Sequence, residues 1–151
     1  MISAYLGYLV SVSVSVVVGH ELRPLFRAIR TVETSGTTAP DQAVGDKGRS
    51  IGPYQITRAY WMDSGVGGQW TWCRNHAYSE AVMSAYWKRH CPDALRRRDT
   101  QVLARIHNGG PKGHAKRETW VYWQKVRKNL ANTMNSAPQR HGSTWEGIGT
   151  K

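Results

Sequence analysis

Two carboxylates stand out among only ten acidic residues in a chain of 151. Glu33, in TVETSG, follows Ile29 by four residues and Val32 by one, so it borders the apolar face of a helix. It also falls in that helix's last turn, where the backbone dipole presents partial negative charge. Dipole and partial burial both favour the protonated carboxyl, the state a general acid needs near neutral pH. Asp46, in VGDKGRS, sits between Gly45 and Lys47 in a turn and is expected to be exposed and ionised. Alone, each has a plain reading: a solvated helix-end glutamate and a turn aspartate. Together, one carboxyl in an apolar setting and one in a wet loop form the pairing that glycoside hydrolysis uses. Asp41 and Asp63 are alternative partners for Glu33.

The stretch SIGPYQITRAYW, residues 50–61, follows Asp46 directly and is dense in aromatic and polar groups. The whole chain holds seven Trp and seven Tyr against one Phe, and Trp and Tyr suit wet binding surfaces where one edge is apolar and the other polar. Gly52 and Pro53 would stiffen this segment and let backbone approach a ligand. The net charge is +11, from 21 Lys and Arg against 10 Asp and Glu. Such a surface attracts polyanions, whether nucleic acid, lipid or cell-wall polymer, and charge alone does not choose among them. Two cysteines without Cys/His ligand spacing argue against structural zinc. They leave two thiols or one disulfide open and do not fix the compartment.

The elements that must hold these groups are mostly helical. Residues 2–18 are apolar but serine-broken, too short and polar for a membrane span. They are read as a candidate signal segment, atypical because no Lys or Arg precedes it, or as an apolar N-terminal stretch. Leu22, Leu25, Phe26, Ile29 and Val32 give a helix ending near TSG, with Gly36 as its cap. Residues 34–53 read as turns or a small hairpin around GDKG. Ser79 is expected to cap a helix to about Arg89, Asp99 or Thr100 one that ends at HNGGP, and Thr119 a last one. The apolar pattern fades after Asn132. This predicts a catalytic domain over residues 21–131, preceded by the 1–20 segment and followed by a flexible tail, 132–151. The fold class is α+β, mainly helical, with a short hairpin or irregular section after the first helix.

Four blocks, SIGPYQITRAYWMDSG, AYWKRH, ARIHNGGPKG and YWQKV, resemble the invertebrate-type lysozymes and destabilases in order and rough spacing, over about Ala28 to Lys128. The resemblance implies a lysozyme-like single domain, muramidase activity on β-1,4-linked aminosugars of peptidoglycan, and no cofactor or metal. It places Glu33 as proton donor and Asp46, across a one-residue gap, as nucleophile or stabiliser. Family precedent suggests a retaining course, which sets the carboxyls about 5–5.5 Å apart. Ser50, Tyr54, Gln55, His107 and Asn108 fall in or near the cleft, with His107 structural or sugar-contacting. Ile51, Ser64 and His114 stand where the family usually has cysteine, which suggests a bacterial relative held together by packing.

The partners expected are therefore peptidoglycan or a related polymer and an anionic wall surface, with no specific nucleic acid and no transmembrane span. Localisation is expected to be secreted or periplasmic. Two other functions compete. One is an isopeptidase of destabilase type using Ser50 and His107. The other is a non-catalytic cationic binder of walls or polyanions, which would not need Glu33.

Overall fold

The computed structural model describes residues 21–135. The candidate signal segment and most of the expected tail lie outside them. The first helix, α1 (Arg23–Glu33), has proline in its first turn and buries Leu25, Phe26, Ala28 and Ile29, as its apolar spacing predicts. It closes with a Gly36 N–H to Thr31 carbonyl bond of 3.1 Å. Ser35 as well as Gly36 takes positive φ there, the left-handed turn common at helix ends.

The section after α1 is a small antiparallel sheet of three two-residue strands: β1 (Val44–Gly45), β2 (Ser50–Ile51) and β3 (Ile56–Thr57). Val44 pairs with Ile51, Gly45 with Ser50, Ser50 with Thr57 and Ile51 with Ile56. The first hairpin turns through Asp46, Lys47 and Gly48, all at positive φ. The second turns through Gly52 (φ +75°). Gly52 is buried, and a Cβ there would lie 2.0 Å from the Cys73 carbonyl oxygen. Its freedom lets the sheet turn pack on the backbone of Cys73, whereas the sequence suggested an approach to ligand.

Four more helices and a long last one follow: α2 (Arg58–Ser64), α3 (His76–His90), α4 (Pro92–Arg97), α5 (Thr100–Gly109) and α6 (Thr119–Asn135). α2 and α4 were not expected from periodicity; they are too short for a helical repeat to register. α3 is capped by Asn75, whose side chain accepts the Tyr78 N–H at 3.0 Å. Ser79 is buried inside that helix and its hydroxyl donates to the Cys73 carbonyl at 2.6 Å. The expected Ser79 cap was one turn late. Asp99 caps α5 as expected, accepting the Val102 N–H. Thr119 is the first residue of α6, and its hydroxyl faces the Gly113 and Lys116 carbonyls and takes the Arg105 Nε hydrogen bond; it ties α6 to α5 and does not cap it.

One core joins these elements. Trp87 is fully buried, stacks on Phe26 with centroids 5.5 Å apart, and donates its indole N–H to the Leu103 carbonyl at 3.0 Å. Trp70 donates to the Ile56 carbonyl and Trp61 to the Tyr78 hydroxyl, so indoles pin the sheet and α2. At the positions where the resembling family usually has cysteine, Ile51 is buried, Ser64 is buried and bonds the Trp61 carbonyl and Val66 N–H, and His114 is exposed. Among the described residues no helix is long and apolar enough to cross a membrane.

Cys73 and Cys91 are free thiols, the first buried and the second half-buried. Burial pushes both up to about 11, so little thiolate is present near neutral pH. Thermal melts with and without reductant are expected to superimpose, and a drop in Tm under reductant would show a stabilising disulfide.

Candidate active site

The C-terminal end of α1, the first hairpin, α2 and the end of α5 surround a cleft of about 540 Å³. Glu33, Asp46, Ser50, Gln55, His107 and Asn108 all line it. The glutamate arrives from the last residue of α1 and the aspartate from the hairpin turn. Their settings differ as the sequence suggests. The Glu33 side chain is 18 % exposed, whereas Asp46 lies in an exposed turn.

Glu33 is held by residues distant in sequence. Its Oε1 accepts the Tyr122 hydroxyl at 2.6 Å, and His107 Nε2 lies 3.4 Å from the same oxygen. Burial first, then the charge of Glu33, pushes the Tyr122 hydroxyl well above its ordinary range. It therefore stays a donor throughout any working pH. The other ring nitrogen of His107, Nδ1, is 3.5 Å from the Tyr60 hydroxyl, and the two rings meet edge to face. Tyr60 in turn stacks on Tyr86 at 3.8 Å between centroids.

The floor is a network built on the sheet. Ser50 is buried and donates to Gln55 Oε1 at 2.9 Å, while Gln55 Nε2 donates to the Gly52 carbonyl at 2.8 Å. Gly45 lies close against this pair: a Cβ there would be 2.2 Å from Gln55 Oε1 and 2.8 Å from the Ser50 hydroxyl, so a larger residue would have to push these side chains aside. Tyr54 departs from its expected place. It is fully buried, and its hydroxyl donates to Glu80 at 2.5 Å. It does not line the cleft, because the turn at Gly52 folds its ring beneath the sheet, edge-on to Phe26.

The remaining acids separate cleanly. Asp63, one turn after Tyr60 on α2, lines the cleft, with Arg89 Nε at 3.2 Å and His90 Nε2 at 2.7 Å. Asp41 lies instead in a groove with Arg74 and His76, so it does not share the site of Glu33. Ser50 and His107 share the cleft, but the serine hydroxyl is committed to Gln55, and the imidazole nitrogens sit by Tyr60 and Glu33. No nucleophile–base pair is assembled between them. Among the described residues no group of three or more His, Cys, Asp or Glu is placed to hold a metal. Tyr60 and Tyr86, which line the cleft, and Tyr122, which donates to Glu33, were not assigned to the site from the sequence, whereas Asp63 is in the cleft as one of the alternative partners for Glu33. For Tyr60 a signal existed: its i, i+3 spacing from Asp63 puts both on one side of a helix.

Comparison with known proteins gives this geometry a context. The family model described as Destabilase matches residues 27–129. Lysozyme 1 of Crassostrea virginica is 40% identical over 85 residues, which is 55% of this chain and 46% of that protein. The lysozyme of Ostrea edulis is 36% identical over 107 residues, 69% of this chain and 77% of that one. The match thus spans less than half of the Crassostrea protein and about three quarters of the Ostrea one. The solved structure of Tapes japonica lysozyme superposes with a TM-score of 0.59 at 28% identity, covering 80% of this chain and 93% of that one. Meretrix lusoria lysozyme, solved in complex with Aeromonas hydrophila PliI, gives 0.59 at 31% identity, covering 70% and 88%. These relatives are bivalve proteins, and another is an invertebrate-type lysozyme of Caenorhabditis elegans. The expected bacterial origin gains no support from them.

Proposed function

The chain belongs to the destabilase family, and on that premise we propose that it is a lysozyme-type glycosidase cleaving β-1,4 aminosugar linkages of peptidoglycan. One observation carries the reading: a shielded glutamate at a helix end and an exposed aspartate in a hairpin turn open onto one cleft. Glu33 is the general acid. Tyr122 and His107 both engage Oε1, which leaves Oε2 to present the proton to the glycosidic oxygen. Asp46, on its exposed turn, faces the opposite side of the sugar ring as nucleophile or as stabiliser of the oxocarbenium-like transition state. Ser50 and Gln55 hold the floor, and Asn108 offers an amide from the far wall. The positive surface draws the enzyme to an anionic wall. That substrate places its work outside the cytoplasm, as a secreted or periplasmic protein.

The test of reaction class is product analysis on purified peptidoglycan. New reducing ends should appear on muramic acid residues. Release of amines or carboxylates from peptide cross-links, without new reducing ends, would favour the isopeptidase reading and overturn this one.

Tyr122 is a positioning residue in this scheme. Tyr122→Phe keeps the ring and removes the hydrogen bond that fixes Glu33. Glu33 becomes a carboxylate as its proton leaves, and a hydrogen bond to that developing charge is worth about 1.5–3 kcal/mol, so kcat is expected to fall by ~10-fold or more with KM nearly unchanged. A variant with altered KM and normal kcat would show that Tyr122 shapes the cleft without orienting the acid.

A further inference from the structure

A second charged cavity lies on α1, apart from the cleft residues. Arg23, Arg27 and Arg30 line it, with Tyr54 and Glu80 opposite, around a volume of about 280 Å³. The three arginines follow i, i+4, i+7 and so form one stripe along the helix. Elementary helix physics disfavours this arrangement. Like charges at i, i+4 repel, and the first turn of α1 carries no acid to offset cations at the positive end of the dipole. The protein supplies little compensation. Among the described residues neither Arg23 nor Arg27 has a carboxylate within ion-pair distance. Arg30 donates from Nη1 to His76 Nδ1 at 2.9 Å, a neutral acceptor that leaves the guanidinium charge in place. The carboxylate in the wall, Glu80, is engaged by the Tyr54 hydroxyl at 2.5 Å. Three arginines thus line a cavity against one carboxylate, with Arg30 turned in part to His76 and Tyr54.

We infer that this stripe is a binding site for a phosphate group, carried by the anionic polymer of the wall on which the enzyme works. Planar guanidinium forks match the oxygens of phosphate better than ammonium groups do. The cavity lets one oxyanion meet several forks at once, and neutralising them removes the repulsion along α1. Because Glu33 ends the same helix, a phosphate held here tethers the wall beside the cleft without entering it. The wall assignment rests on the glycosidase reading above; the phosphate site itself does not.

The two are separated by measuring binding without catalysis. Inorganic phosphate is titrated into the whole protein at fixed ionic strength, balanced with chloride, and followed by amide NMR. Saturable shifts confined to residues 23–30 and those around Tyr54 and Glu80 are expected, unchanged in Glu33→Gln. The exposed change Arg27→Gln should weaken binding at least ~10-fold, and Arg23→Gln with Arg27→Gln should abolish saturation. Shifts that track chloride equally well, or an affinity untouched by Arg27→Gln, overturn the site. The source is read from lysis. Arg27→Gln should slow clearing of phosphate-bearing walls while leaving acid-stripped walls and soluble aminosugar oligomers at the wild-type rate. An equal effect on both kinds of wall would overturn the polymer assignment and leave free phosphate as the ligand.

Discussion

Glu33→Gln protein is expected to clear bacterial cell walls at least ~100-fold more slowly than the wild type and to bind them as tightly. A general acid commonly contributes about 10²–10⁴-fold in rate, and glutamine cannot donate a proton to the leaving oxygen. The surroundings make this a clean substitution. The amide oxygen of glutamine can still accept the Tyr122 hydroxyl that Oε1 accepts at 2.6 Å, so the side chain keeps its place. What it loses is the donatable proton; the carboxyl whose Oε1 lies 3.4 Å from His107 Nε2 is replaced by an amide group of the same shape. In the proposed scheme wall binding is assigned to the Ser50–Gln55 floor and the cationic surface, which the change does not touch.

The same variant separates the competing functions. A cationic binder without chemistry would lose its effect on walls when arginines and lysines are changed and would ignore Glu33→Gln. An isopeptidase acting through Ser50 and His107 would likewise retain activity. Turbidity loss on purified walls, paired with a pull-down on the same walls, measures both quantities at once. Clearing by Glu33→Gln protein at the wild-type rate would sink the glycosidase assignment. Loss of binding together with lysis would mean that the cleft has been distorted, and Asp46→Asn, on an exposed turn, then serves as the test of the paired carboxylates.

How much of this site was legible in the sequence follows the range of the interactions that build it. Glu33 and Asp46 were legible because their settings are local: one is the end of an amphipathic helix, the other a turn rich in glycine. The Asp99 cap of α5 was legible for the same reason. Asn75 and Ser79 compete as caps four residues apart, and only the burial of Ser79 against the Cys73 carbonyl settles which one lies inside. Tyr54 was misplaced because a Gly-Pro-Tyr-Gln turn does not say which way its aromatic ring points; the ring goes inward because Glu80 on α3 offers its hydroxyl a partner. Tyr122 left no local trace. It reaches Glu33 across 89 residues through the packing of α6 on α1, which depends on Trp123 and Val126 filling the core beside it.

Gly52→Ala is expected to cost about 2–5 kcal/mol of stability and to weaken catalysis without touching a carboxylate. Gly52 adopts φ +75°, where a Cβ costs roughly 1–2 kcal/mol. The added Cβ would also lie 2.0 Å from the Cys73 carbonyl oxygen and 3.0 Å from Arg74 Cα. Both are backbone atoms, which cannot swing aside as a flexible side chain does, and overpacking of this kind commonly costs about 1–3 kcal/mol. The strain cannot stay local. The Gly52 carbonyl accepts Gln55 Nε2, Gln55 Oε1 accepts the Ser50 hydroxyl, and the Gly52 N–H donates to the Ala43 carbonyl, which begins the hairpin that carries Asp46. Moving Gly52 away from Cys73 therefore moves the floor and the turn of Asp46 relative to Glu33, which stays on α1. A Tm lower by roughly 10 °C, with kcat reduced in the protein that remains folded, is the expected pair of results. Gly67→Ala is the control. Gly67 lies in an exposed loop, and a Cβ there meets nothing within 4 Å. If Gly52→Ala melts and turns over like Gly67→Ala, the close approach to Cys73 does not constrain the hairpin, and the link drawn between that packing and the position of Asp46 is wrong.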